Sequence, residues 1–402
     1  MARSTAAETP DLRSPRGRTL LACFLHFDLS FMLWVLVGAL GIYIAEEAHL
    51  GPAQKGLMVA VPLLSGSLLR LPLGILGDRI GQKRLGVAML SFLFVPLSVG
   101  WLGARSLPSL VLVGLMLGTA GASFAVALPL ASRWYPPERQ GLVMGIAAAG
   151  NSGTVITNLV APRLANVFGW HGVLGLAMLP LALVLVAFVV LARESPRHAA
   201  PRRSPFSILR ERDAWWFCAF YSITFGGYVG LSSFTPLLLR DQYGVTPVQA
   251  GYLTAAVAFV GSMSRPVGGW LADRVGGARL LSILLVGIAG SYALAARVPP
   301  LGALVAILLV VMACLGMSNG AVFQLVPQRF PREIGAATGI IGAVGGLGGF
   351  FLPSILGGLK QRFGSFTPGF ATLAVLAAVG AIGLRLLVQR EGEWRASWRA
   401  VP

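Results

Sequence analysis

Long apolar runs recur along this chain from end to end, and they constrain its fold more than any other feature. Each run is about 20 residues long, which lets a helix cross the ~30 Å hydrocarbon core of a bilayer. With 55% hydrophobic and 12% charged residues, the chain has too little charge to cover a soluble protein of this size. We predict an all-α membrane protein of about twelve helices, with spans at residues 19–45, 53–77, 85–104, 108–132, 140–165, 170–192, 213–239, 248–272, 280–296, 301–325, 334–358 and 368–388.

A polar segment with Pro10 and Pro15 precedes the first apolar run. This run is longer than the hydrophobic region of a signal peptide, which measures about 7–15 residues. We therefore expect an uncleaved first span.

Basic residues are unequally distributed between the two sets of connecting segments. The formal net charge is +17, and most Lys and Arg residues lie in segments that are cytoplasmic if both termini are inside. This asymmetry is typical of the positive-inside rule. It indicates a multi-pass protein of the inner (plasma) membrane with both termini cytoplasmic, and it argues against a nucleic-acid partner.

The three cysteines, Cys23, Cys218 and Cys314, all lie inside predicted spans without paired spacing. We expect them to be packing residues, with neither a disulfide framework nor a metal site. The sequence shows no nucleophile–base pair and no phosphate-binding loop, so we predict neither an enzyme nor a cofactor. A membrane sensor would usually carry a larger soluble domain than these tails provide.

The two halves of the chain repeat each other at a shift of 195 residues. Such a duplication predicts two six-helix bundles related by an axis along the membrane normal, the architecture of a rocking transporter. We divide the chain into an N-terminal tail (1–18), an N-terminal bundle (19–192), a cytoplasmic linker (193–212), a C-terminal bundle (213–388) and a C-terminal tail (389–402). Matching pairs include Pro52 with Pro247, Arg70 with Arg265, Asp78 with Asp273 and Gly150 with Gly345.

Arg70 and Arg265 lie inside apolar spans, about seven residues from their cytoplasmic ends. An arginine ~10 Å deep in a membrane costs at least ~2.5 kcal/mol unless it faces water or a partner. Because the repeat axis brings both side chains to the centre, we predict that they face one cavity and bind an anion. A small planar oxyanion suits the paired donors of a guanidinium. Alternatively, each arginine pairs with a buried acid or extends to the membrane surface.

Polar residues and glycines accompany the arginines in four other spans. Spacings of three and four residues place the polar ones on single helical faces, and glycines allow close backbone approach. Each could instead serve only helix packing. The candidates are Gly150, Asn151, Thr154 and Asn158 in the fifth span, Tyr221, Thr224 and Tyr228 in the seventh, Asn319 and Gln324 in the tenth, and Gly342, Gly345, Gly346, Gly348 and Gly349 in the eleventh.

The loop GDRIGQKR after the second span is echoed by ADRVGGAR after the eighth. It resembles the cytoplasmic signature of the major facilitator superfamily, in which this loop stabilises one access state. The alternative is a generic basic turn. The resemblance implies that the aspartates are partners of helix ends or arginines, within a conformational switch formed by Gly77, Asp78, Arg79, Asp273 and Arg274.

Five segments resemble the nitrate/nitrite porter family of that superfamily: HFDLSFMLWVLVGALG, AGNSGTV, YSITFGG, SNGAVFQLVP and GAVGGLGGFFLP. The resemblance covers nearly the whole chain and is closest to the assimilatory bacterial branch. It implies a nitrate or nitrite anion clamped by one arginine from the second helix and one from the eighth. Residues of this sequence at the implied substrate site are Arg70, Arg265, Asn151, Tyr221, Gly150, Gly345 and Asn319.

Asp28 and His26 lie inside the first span and are the candidate proton carriers. His26 matches Tyr221 in the repeat, which predicts that it faces the cavity. Two roles remain open for Asp28, a proton carrier or a structural counter-ion of an arginine. We favour proton-coupled nitrate uptake, because nitrate entering a negative-inside cell needs at least two protons to be electrically favourable.

Two alternatives remain open, nitrate/nitrite exchange without protons and a carrier of another small anion. The sequence does not determine nitrate against nitrite preference, flux direction or stoichiometry. We expect a monomer, as is usual for this fold.

Overall fold

The computed structural model describes residues 14–135, 149–195, 205–330 and 334–398. These residues form helices and short 3-10 segments, with no strand among them. Parts of the predicted tails, of the linker and of the fifth span lie outside the described residues.

We number the membrane helices α1 to α12. In the N-terminal half, α1 comprises Pro15–Trp34, Leu36–Ala39 and Gly41–Glu47, α2 is Pro52–Ile80, and α3 is Gln82–Gly103. Helix α4 comprises Leu107–Leu117 and Phe124–Ser132, joined by the 3-10 segment Gly118–Ser123. After the 3-10 turn Ala149–Ser152, Gly153–Leu176 contains α5 and the beginning of α6, which continues as Met178–Leu191.

In the C-terminal half, a 3-10 segment at Pro205–Arg210 precedes the membrane helices. They are α7 (Arg212–Tyr243), α8 (Pro247–Val275), α9 (Gly277–Ala295), α10 (Leu301–Arg329), α11 (Ile334–Phe363) and α12 (Thr367–Arg390). A short helix, Gly392–Ala396, follows α12.

Nine helices among the described residues are long and apolar enough to cross a membrane. One of these, Gly150–Leu191, has 42 residues, or about 63 Å at 1.5 Å per residue, which is two membrane thicknesses. It divides at Gly169, where α5 ends. The φ of Gly169 is 68°, a non-helical value that glycine adopts readily. Helix α1, which is interrupted at Val35 and Leu40, and helix α8 are not among the nine. Together these segments account for the predicted twelve spans.

Helices α2 and α8 begin and end in the same way. Each has proline in its first turn, and the glutamines at Gln54 and Gln249 hydrogen-bond back to the backbone N–H groups that precede the helices. Each ends at a glycine with positive φ, Gly81 at 104° and Gly276 at 93°. The sequence repeat is therefore also a repeat of helix boundaries.

Helix α11 extends beyond the span predicted for it. Lys360 and Arg362 were expected in an outer loop, but they lie in the last turn of α11. Arg163 lies within α5, near the end of the predicted fifth span. These basic side chains can extend toward the membrane surface, which is why the helix tolerates them.

The two halves meet at the end of the bundle that contains residues 46–55, 240–252 and 353–366, which we call the outer end. Lys55 Nζ lies 2.7 Å from Asp241 Oδ1, and Arg240 Nη2 lies 2.8 Å from Glu46 Oε1. Hydrogen bonds and ion pairs between described residues of the two halves are found at the level of Arg70 and between that level and the outer end. None joins described residues of the two halves on the other side of Arg70. The structure is thus closed at the outer end.

The C-terminal segment packs back onto the second half. Trp394 is fully buried against Phe217 and donates its indole N–H to Asp213 Oδ1 at 3.0 Å. Arg329 Nε lies 3.2 Å from Asp213 Oδ2. The segment therefore joins the beginning of α7 to the end of α10.

Candidate functional site

Arg70 lies at the centre of the molecule, on α2, and is only 2% exposed. Its Nε donates to the Gly121 carbonyl at 3.0 Å, within the 3-10 segment of α4. Its Nη1 donates to the Gly342 carbonyl of α11 at 2.6 Å, across the two halves. Its Nη2 has no hydrogen-bond partner among the described residues, which leaves one buried donor available.

Three aromatic rings surround the Arg70 guanidinium. Its Cζ lies 5.3 Å from the ring centre of Trp34, 5.4 Å from that of Phe124 and 5.0 Å from that of Phe225. Aromatic faces attract a cation without neutralising it. The guanidinium is therefore held in place with its positive charge intact.

Arg265 approaches the same point from α8 in the opposite half. It is half-buried, and its Nη2 donates to the Tyr221 hydroxyl at 3.4 Å. Both arginines are close enough to Tyr221, and to each other, to interact electrostatically. Phe323 lies 5.5 Å from Arg265 Cζ and also contacts Phe124, so aromatic rings of both halves meet beside the arginines.

Neither arginine forms an ion pair with a carboxylate of the described ranges. The alternative of a buried acid for each arginine is therefore not found in this part of the chain. Two uncompensated cations in a low-dielectric centre are costly, and a bound anion would relieve that cost. The site is chemically suited to an oxyanion.

The glycines of α11 bring that helix against the arginine site. A methyl group on Gly345 would come within 2.1 Å of Tyr221 Cδ1, and one on Gly346 within 2.2 Å of Ser67 Oγ. Gly342 supplies the carbonyl that Arg70 binds. These glycines therefore act by close packing and by backbone bonding.

Asn151 and Asn319 are buried, and the Oδ1 atom of each lacks a partner among the described residues. Asn151 lies in the 3-10 turn that contacts α8, the helix of Arg265. Asn319 precedes Gly320, which packs on the Arg265 backbone. Gln324, in contrast, lies against Gly277 of α9 and away from the arginines.

Asp28 lies next to the 3-10 turn of the fifth span. Ser152 Oγ donates to Asp28 Oδ1 at 2.8 Å. Gly150 packs on the Asp28 backbone, where a methyl group would come within 2.8 Å of the amide nitrogen. The counter-ion alternative has no support in the described ranges, because no arginine there pairs with Asp28.

The prediction that His26 faces the central cavity is wrong. Its ring packs 4.8 Å from Phe188 of α6 and is fully buried, away from both arginines. Two residues on a helix differ by about 200°, so His26 and Asp28 point in nearly opposite directions. The repeat predicts that His26 and Tyr221 lie at the same depth in the membrane, but it does not determine which residues each side chain contacts.

The two copies of the switch motif are unequal. Asp78 accepts from Arg133 Nη2 at 2.6 Å, which joins the ends of α2 and α4, and from Gln82 Nε2 at 3.2 Å. Gly77 packs directly on the Gln82 side chain, whereas Arg79 is exposed. In the second copy, Arg274 lies over Trp270, and Asp273 forms no ion pair with a described residue.

Sequence reasoning missed the aromatic residues and the backbone carbonyls that hold Arg70. Phe124, Phe225 and Phe323 were treated as ordinary apolar residues because they lie in apolar runs. No sequence signal marks the Gly121 carbonyl, although the small-residue stretch GTAGAS permits the 3-10 segment that presents it.

The sequence profile of the Major Facilitator Superfamily matches residues 22–353. The chain belongs to this superfamily. It is 35% identical over 350 residues to the nitrite extrusion protein of Bacillus subtilis, covering 86% of this chain and 88% of that one. It is 33% identical over 380 residues to the probable nitrate/nitrite transporter NarK2 of Mycobacterium tuberculosis, covering 92% and 95%. These relatives confirm the resemblance to the nitrate/nitrite porter family.

Solved major facilitator structures support the fold. The inward-facing, occupied form of a bacterial homologue of the lysosomal transporter Spinster has a TM-score of 0.68 at 21% identity, covering 95% of this chain and 96% of that one. The nucleoside transporter NupG has a TM-score of 0.73 at 16% identity, covering 92% and 99%. The predicted all-α major facilitator fold is confirmed, and the protein is a multi-pass membrane protein.

Proposed function

We propose that this protein transports nitrate, and nitrite as a related anion, with the anion bound between Arg70 and Arg265. One observation carries the proposal: two cationic side chains from opposite halves converge on Tyr221 without a carboxylate partner in the described ranges. The relatives named nitrate/nitrite transporters or nitrite extrusion protein indicate which oxyanion to test.

A planar oxyanion can accept paired hydrogen bonds from a guanidinium. Arg70 offers its unpartnered Nη2, and Arg265 offers the Nη2 that now binds the Tyr221 hydroxyl. Asn151 and Asn319 approach from opposite halves, and each has an amide group to orient the ligand. Their uncommitted Oδ1 atoms are acceptors, so only the amide N–H groups would meet an anion.

Transport would proceed by alternating access, in which residues 1–192 rock against residues 213–402 around the bound anion. The closed outer end fits the state that opens toward the cytoplasm, given the orientation with both termini cytoplasmic. An anion neutralises the repulsion between the arginines and so allows the halves to close around it. We further propose that the protein works as a monomer in the inner (plasma) membrane.

Counterflow of isotope-labelled nitrate into proteoliposomes tests the proposal, because this assay requires no particular coupling ion. We expect Arg70→Lys and Arg265→Lys each to abolish nearly all counterflow, since lysine keeps the charge but loses the planar fork. Arg297→Lys is the matched control, because Arg297 is exposed and outside the site. Wild-type rates in both site variants would contradict the clamp.

Proton-coupled uptake is the coupling mode we propose first, with Asp28 as the carrier. Nitrate/nitrite exchange is the second candidate, because Asp28 binds Ser152 and contacts neither arginine. A pH gradient, acidic outside, should drive accumulation of nitrate in nitrite-free proteoliposomes if protons are coupled. Asp28→Asn should abolish that accumulation and retain counterflow. Accumulation only when nitrite is inside would support exchange.

A further inference from the structure

Three hydroxyl groups form a buried cluster that lies closer to the outer end than the arginines do. The Tyr228 hydroxyl lies 2.6 Å from Ser262 Oγ and 3.3 Å from Thr154 Oγ1. Tyr228 is seven residues beyond Tyr221 on α7, which places it two turns nearer the outer end on the same face. All three side chains are buried.

The cluster joins the two halves. Thr154 belongs to α5 of the first half, whereas Tyr228 and Ser262 belong to α7 and α8 of the second. Ser262 precedes Arg265 by one turn, and Tyr228 is close enough to Arg265 for an electrostatic interaction. The cluster therefore lies between the arginine site and the closed outer end.

The hydrogen bonds leave the Tyr228 hydroxyl as the group that changes partner. Thr154 Oγ1 donates to the Asn151 carbonyl at 2.8 Å, so its oxygen acts as the acceptor for Tyr228. In the proposed alternating access, opening of the outer end would separate α5 from α7 and α8 and would break the bond between Tyr228 and Thr154. The Tyr228 O–H would then be exposed to the outer pathway, near the positive charge of Arg265.

We propose that Tyr228 is a further anion-binding residue, which donates a hydrogen bond to the entering anion while the outer end is open. When that end closes, the same hydroxyl bonds Thr154, and the anion passes to the arginines. This inference rests on the proposed nitrate transport. It assigns to Tyr228 two successive partners, a protein oxygen and the substrate.

Two variants separate the two roles. Thr154→Val removes the bond across the halves together with the local bond to the Asn151 carbonyl. Tyr228→Phe removes the bond across the halves, the bond with Ser262 within the second half and the donor to the anion. Counterflow of isotope-labelled nitrate in right-side-out and inside-out vesicles gives the KM at each face. Both variants favour the open outer end, so we expect equal inner-face KM values. The outer-face KM of Tyr228→Phe should be about 10- to 150-fold higher than that of Thr154→Val, the effect of losing one hydrogen bond to a charged group.

Equal outer-face KM values in the two variants would overturn the inference and leave Tyr228 as a closing contact only. A higher KM of Tyr228→Phe at both faces alike would also overturn it, because that indicates a general distortion of the site. If the wild type shows no nitrate counterflow, the proposed function fails instead. Wild-type counterflow that depends on Arg70 and Arg265 keeps the two outcomes distinct.

Discussion

Arg70 illustrates how a membrane protein can bury a charge and leave it available. Its neighbours are backbone carbonyls and aromatic rings, which orient the guanidinium but carry no net charge. A carboxylate in their place would satisfy the same donors and remove the reason to bind an anion. Because its partners are neutral, Arg70 keeps the positive charge that an anion-binding site requires.

Gly345 determines how closely α11 approaches the Tyr221 ring. We predict that Gly345→Ala destabilises the protein by about 1–3 kcal/mol, the usual cost of overpacking, because the added methyl would overlap Tyr221 Cδ1. Nitrate counterflow should fall sharply, since displacing Tyr221 also removes the hydroxyl that Arg265 binds. Thermal unfolding and counterflow measure the two effects.

Gly339 is the matched control on the same helix, because no atom lies within 4 Å of a methyl group placed there. Gly339→Ala should leave counterflow unchanged and raise stability by up to about 1 kcal/mol, since alanine favours helix. Equal losses in the two variants would show that α11 tolerates no alanine, and would contradict a specific contact with Tyr221.

At the scale of elements, the two halves use the same loop differently. Asp78 ties the end of α2 to α4 through Arg133, whereas the Asp273 carboxylate is exposed and has no ion-pair partner in the described ranges. The position that corresponds to Arg133 in the second half is Gln328, whose neutral amide cannot form an ion pair, so the second copy of the repeat lacks that partner. Near that end of α10, Arg329 pairs with Asp213 instead.

We predict that Asp78→Asn slows nitrate counterflow several-fold, because α2 and α4 then lose the ion pair that joins their ends. Its effect on unfolding should stay within about 1 kcal/mol, as expected for a partly exposed pair. Asp273→Asn is the control, with little effect on either quantity. A larger loss of counterflow in Asp273→Asn would contradict the unequal roles.

The sequence repeat predicted the boundaries of elements well and the neighbours of residues less well. A shift of 195 residues identified Arg70 and Arg265 as equivalents, because the depth of a residue follows from its position along a span. It failed for His26, because the direction of a side chain also depends on helix rotation and on the packing of Phe188. The 3-10 segments of α4 and α5 were also missed, since they depend on tertiary contacts rather than on apolar periodicity.

For the whole molecule, the outer end closes through ion pairs that span the halves. We predict that Lys55→Glu favours the open outer end, because it replaces an attraction to Asp241 by a repulsion. The outer-face KM for nitrate should fall and the inner-face KM should rise. Vesicles of both orientations give these values.

The exchanged pair, Lys55→Glu with Asp241→Lys, provides the control. It keeps the total charge beside Lys360, whose Nζ donates to the Asp241 carbonyl, and should restore most of the wild-type balance between the two faces. If the exchanged pair behaves like the single variant, the ion pair is not what holds the outer end closed.

The docking of Trp394 determines how far this protein can be shortened. Its indole packs on Phe217 and Phe220 and donates a hydrogen bond to Asp213. Removal of the residues after Arg390 would therefore expose two aromatic rings at the membrane surface. A purification tag or fluorescent reporter should therefore be fused after the last residue, never in place of this short segment. A detergent-solubilised variant ending at Arg390 would be expected to self-associate through the bared rings.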